Sequence, residues 1–99
     1  MVKKYNVNIT FNAKIDLEHI FFYIAEDSIN NAKKFIHELE EKIYSLDTMP
    51  ERFALISENI FFGTNYRQII LKKYRIIYKI SGNSVFIMRV VHGAKLLDL

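Results

Sequence analysis

The sequence predicts an α+β fold in one small domain covering residues 1–99, with the order β-α-α-β-β-β. A C-terminal antiparallel meander carries a helical hairpin on one face of its sheet. Three observations predict it. The first residues alternate apolar and polar with period two. Two stretches after them repeat apolar residues at helical spacing. The last third is rich in β-branched and aromatic residues and is broken by a Gly-Asn turn.

Each element has its own justification. In the first strand Tyr5, Val7 and Ile9 share one face and Lys4, Asn6 and Asn8 the other. Asn12 is placed to cap the first helix, because its side-chain oxygen accepts from an orphan N–H of the first turn. That helix has the stripe Ala13, Leu17, Ile20, Phe21 and Ile24, with Asp16, Glu18 and Glu26 off it. The second helix starts near Ser28 or Asn30. Its stripe is Ala32, Phe35, Ile36, Leu39, Ile43 and Leu46, opposite Lys33, Lys34, Glu38, Glu41 and Lys42. Lys34–Glu38 and Glu38–Lys42 have the spacing of helix-surface ion pairs, worth roughly 0.3 kcal/mol each. Pro50 ends the helical region. Residues 50–65, with Phe53, Leu55, Ile56, Ile60, Phe61 and Phe62, are too apolar for a free linker and read as a packed loop closed by Gly63-Thr64-Asn65.

Strands follow over residues 66–71, 74–80 and 85–92, joined by Lys72-Lys73 and by Ser81-Gly82-Asn83-Ser84, and Gly93 ends the last. Two registers compete at the final turn. A two-residue Gly82-Asn83 turn pairs Ile80 with Val85 and sets Arg89 on the face of Tyr74 and Tyr78. A three-residue loop sets Arg89 beside Arg75, Ile77 and Lys79, which gathers the arginines and is the preferred reading. The sheet face opposite the helices, if uncovered, becomes the functional surface.

Composition excludes several classes. With no cysteine there is no disulfide and no Cys-based zinc site. No apolar run reaches the ~18–20 residues of a membrane span, and the alternating start is no signal peptide, so a cytoplasmic protein is expected. Nucleophile elbow, P-loop and GxGxxG are all missing, which removes conventional hydrolases, kinases and dehydrogenases. His37 and Glu41 have zinc-ligand spacing but no third ligand near them, and they read, like His19, as exposed helix residues. No metal or other cofactor is expected.

The net charge of +3 hides a division. Residues 11–51 carry −5, and residues 66–99 carry +6. A basic half attracts polyanions or acidic protein partners. Arg67, Arg75, Lys79 and Arg89 fall on three successive strands, with Tyr74, Tyr78 and His92 beside them. Such a set suits metal-free RNA cleavage by positioning and charge stabilisation, with His92 exchanging protons. It equally suits holding an acidic segment. Tyr74, Ile76, Tyr78 and Ile80 also read simply as the inward face of an alternating strand.

Tyr74-Arg75-Ile76-Ile77-Tyr78, the Gly-Asn turn and then Ile87-Met88-Arg89-Val90-Val91-His92-Gly93 together resemble the C-terminal signature of the RelE/ParE superfamily of bacterial toxins. Ala13, Asp16, Leu17, Ile20 and Tyr23 resemble its first helix, Ala32 its second, and Leu46 with Pro50 the end of that helix. The resemblance covers nearly the whole chain and has the same element order. It implies the toxin of a type II toxin–antitoxin, plasmid-stabilisation-type module, a growth inhibitor silenced by a cognate antitoxin in a toxin–antitoxin hetero-oligomer. Two activities are implied by the two branches. The ParE-like one, favoured because His92-Gly93-Ala94-Lys95 resembles the ParE ending and no Tyr or Arg follows His92, is a non-enzymatic action on DNA gyrase. The alternative is a RelE-like, metal-independent endoribonuclease cutting mRNA on the ribosome, with Arg75, Arg89 and His92 as catalytic residues. Target- or partner-binding residues implied by the resemblance and the basic meander are Arg67, Lys73, Arg75, Lys79, Arg89, His92 and Lys95. Ala94 departs from the family, standing where a basic residue is common. Arg67 also reads as a structural ion pair to a helix carboxylate.

Overall fold

The computed structural model describes residues 3–93. Strand β1 (Asn6–Ile9) leads into helix α1 (Phe11–Ala25), and a short joint leads into α2 (Ile29–Tyr44). Two single-turn 3-10 helices, Ser45–Asp47 and Pro50–Arg52, and a one-turn helix α3 (Asn59–Phe62) cross to β2 (Arg67–Leu71), β3 (Tyr74–Ser81) and β4 (Ser84–His92). The expected α+β architecture is present, and its four strands lie in the order β1-β4-β3-β2. The meander is antiparallel, whereas β1 runs parallel to β4 with Val7 against Val85.

Helix α2 is amphipathic as its spacing predicts. Ala32, Phe35, Leu39 and Ile43 are buried. Ser28 caps it by accepting from the Asn31 N–H. Helix α1 starts earlier than expected, because Thr10 rather than Asn12 is the cap. Its hydroxyl oxygen accepts from the Ala13 N–H and donates to the Ile87 carbonyl at 2.6 Å. Either residue type caps well; the bond to β4 decides between them. The ion pairs anticipated along α2 do not form among the described residues. Glu38 turns instead to Lys72, 3.5 Å away in the β2–β3 turn, and His37 bonds Glu41.

The main core lies between the helical hairpin and one sheet face. Ala13, Ile20, Phe35, Leu39, Ile43 and Leu46 pack on Ile69, Ile76, Tyr78, Val85, Ile87 and Val90. Tyr78 is fully buried, and its hydroxyl donates to the Pro50 carbonyl at 2.6 Å. Burial pushes that hydroxyl's pKa up to about 12. The opposite face is not left open. Ile56 and Tyr66 pack there on Ile77 and Val91, so the 50–65 stretch is a cover for the sheet, as its apolar content suggests. Segment 54–56 also extends the edge of β2, with Ile56 N–H donating to the Tyr66 carbonyl and Gln68 N–H to the Ala54 carbonyl. Within the cover, α3 is a feature that periodicity does not reveal. Asn59 clamps it by bonding both backbone groups of Tyr66, and Gly63 ends it at φ 64.

Both proposed registers hold in part. Ile80 pairs with Val85 across a two-residue turn, but a bulge at Met88 shifts the ladder so that Ile77 faces Arg89 and Tyr74 faces His92. One extra residue reconciles the tight turn with the neighbour that the longer loop predicted. The bulge is braced from α1: Thr10 bonds the Ile87 and Met88 carbonyls, and Asp16 accepts the Val90 N–H at 2.9 Å.

Candidate functional site

The three arginines of the meander do not form one cluster. Arg75 is buried on the outer face. Its guanidinium makes a two-pronged pair with Glu58 at 2.7 and 2.8 Å and a third bond to Gln68 at 2.7 Å. Those bonds hold the Glu58 carboxyl down from 4.5 to about 2, against the opposing effect of burial. Arg89 pairs with Asp16 of α1 at 2.8 and 3.0 Å. Arg67 donates to the Glu51 and Phe53 carbonyls, at 3.1 and 2.7 Å, and so anchors the covering loop by backbone groups rather than by the helix carboxylate expected of it.

The remaining candidates lie at two ends of the sheet. Lys79 sits near the β3–β4 turn with its ammonium 5.7 Å from the Phe86 ring centre. At the opposite end, His92 meets Tyr74 ring to edge, with centroids 5.6 Å apart. Gly93 N–H there donates to the Lys73 carbonyl. Lys73 is exposed beside them. Lys95 lies outside the described residues. The structure thus brings Lys73, Tyr74 and His92 together and separates them from Lys79.

A groove of about 520 Å³ opens next to that end, lined by Ile24, Asn31, Lys34, Phe35, Glu38, Lys72, Lys73 and Tyr74. Burial, and secondarily Tyr23, raises the Tyr74 hydroxyl above its ordinary pKa. Lys72 adopts φ 54, a left-handed conformation that favours glycine. A second, more polar hollow of about 350 Å³ is lined by Asn12, Ile15, Asp16, His19 and Arg89. Among the described residues no three His, Asp or Glu side chains gather as a metal site, and no helix is long and apolar enough to cross a membrane.

Sequence reasoning missed Glu58, Thr10 and the groove. Glu58 carries no local signal, since its partner is 17 residues away, and Thr10 signals only a helix cap, not its bond to Ile87, 77 residues away. The groove had one hint: a lysine pair in a strand turn, where Gly or Asn is the usual choice.

The sequence profile of the ParE toxin of the type II toxin–antitoxin system parDE matches residues 7–97. The chain belongs to the ParE toxin family. A solved structure titled "Chromosomal ParDE TA system from P. aeruginosa" superposes with a TM-score of 0.75, over 91% of this chain and 97% of that one, at 17% identity. At that identity the likeness speaks for the fold alone. No curated protein matches the sequence. In this ParE-family chain the arginines of the shared signature, Arg75 and Arg89, are the ones held in ion pairs.

Proposed function

We propose that this ParE-family toxin arrests growth in the cytoplasm by binding DNA gyrase, without catalysing a reaction, and that a cognate antitoxin silences it. The observation that supports a binding role over RNA cleavage is the engagement of Arg75. A phosphate-stabilising guanidinium must offer its N–H fork to the substrate. Here both prongs are taken by Glu58, the remaining edge by Gln68, and the side chain is buried. Freeing it would leave a desolvated carboxylate behind. Arg89 is likewise paired with Asp16. The contact surface for the target is then the end of the sheet holding Lys73, Tyr74 and His92. Arg67, Arg75 and Arg89 act by holding that surface in place, and Lys79 lies too far along β3 to join it.

Pulse-labelling after induced expression in a bacterial host, with protein synthesis and DNA integrity followed in one culture, tests this reading. DNA breaks with translation still running are expected. Early loss of translation over intact DNA would instead favour a RelE-like ribonuclease using Arg75, Arg89 and His92.

A further inference from the structure

The two edges of the sheet are finished differently. Segment 54–56 closes the β2 edge along Tyr66 and Gln68. At the β1 edge the cover among the described residues is short. Thr48 bridges Lys4, and the Asp47 carbonyl accepts the Tyr5 N–H. Met49, at φ 48, then turns the chain away. Bonding direction alternates along β1. Asn6 and Thr10 donate to Asn83 and Ile87 on the β4 side, so Val7 and Ile9 point their N–H and C=O groups outward. Those outward groups have no backbone partner among the described residues. No lysine, proline or bulge interrupts Asn6–Ile9, and these are the usual ways of blocking an edge.

We propose that β1 pairs with β1 of a second copy of this chain, antiparallel about a two-fold axis at Asn8. In that register Val7 of each copy exchanges both backbone bonds with Ile9 of the other, which uses the outward groups left open. An axis at Val7 would instead run Ile9 against Tyr5, where Asp47 already sits. The ends of the edge also fit each other. Phe11, 75% exposed, follows β1, and Met49, 61% exposed, lies beside its start. The axis brings Phe11 of one copy to Met49 and Tyr5 of the other. Charge lets like meet like, because Asn6–Ile9 is uncharged and Lys4 is matched by Asp47 at 3.4 Å. This self-complementarity favours a second copy over an unrelated strand. So short an edge buries far less than the roughly 1,600 Å² of a standard interface, so the dimer should be weak, with a Kd of about 10–100 μM. The inference goes beyond the gyrase reading and does not rest on it.

The test is sedimentation velocity of the full chain from about 1 to about 500 μM, where the mean mass should climb toward twice that of the monomer. Phe11→Ser, an exposed substitution, should weaken the dimer about tenfold. Asn8→Lys sets two like charges directly opposite each other on the axis and should weaken it about fivefold. An equal mixture of Asn8→Lys and Asn8→Asp should restore association, a gain that misfolding cannot imitate. A monomer at every concentration, a dimer untouched by Phe11→Ser or by Asn8→Lys, or no rescue in the mixture would each overturn the proposal.

Discussion

Among the described residues two partly buried arginine–carboxylate pairs fix the sheet of this protein, and they do different work. Arg75–Glu58 is the drier at the arginine, with side chains 10% and 13% exposed, and it ties an irregular covering loop to the outer face. Arg89–Asp16, 24% and 11% exposed, ties a helix to a strand. In the second pair Asp16 also accepts the Val90 N–H, beyond the point where β1 stops at Ile9 and α1 begins. A side chain there stands in for a missing strand. The first pair substitutes for hydrophobic cover, the second for a ladder hydrogen bond. The chemistry is the same, and its consequence depends on which gap in the backbone it fills.

The largest effect should come from breaking the drier pair. Glu58→Ala strands a buried guanidinium and should cost about 3–5 kcal/mol in urea unfolding, whereas Glu58→Leu combined with Arg75→Met should recover most of that loss. Asp16→Ala leaves Arg89 better hydrated and should cost less, about 2 kcal/mol, because its main loss is the bond to Val90 N–H. A smaller contrast lies in pH. The Glu58 carboxyl is depressed in the folded state, so its stabilisation is complete above about pH 4.5 and is lost as pH falls toward 2. Acid unfolding curves of the native chain and Glu58→Gln should therefore converge over that interval and stay apart at neutral pH.

These pairs also mark where sequence reading stops. The hairpin, the meander and the burial of Phe35, Leu39, Ile76 and Tyr78 follow from periodicity, because each is a local pattern with one apolar face. The bulge at Met88 does not, since its extra residue is stabilised by Thr10 and Asp16 from the other end of the chain. The pairing of the meander arginines is hidden for the same reason. Arg75 and Arg89 look like available cations until Glu58 and Asp16, 17 and 73 residues away, are brought against them. The groove assembles from α1, α2 and a strand turn, so no single stretch of sequence announces it.

The strand order has a consequence for synthesis. Among the described residues the first strand made, β1, has as its sheet neighbour the last, β4. A nascent chain emerging from the ribosome therefore holds β1 unmatched until β4 clears the exit tunnel, and the sheet cannot close before then. Thr10 and Asp16 likewise wait for β4 before they have anything to hold. The sheet of this ParE-family chain comes into being only after β4 has been made, which gives a partner made beforehand the whole interval between the two strands in which to be ready.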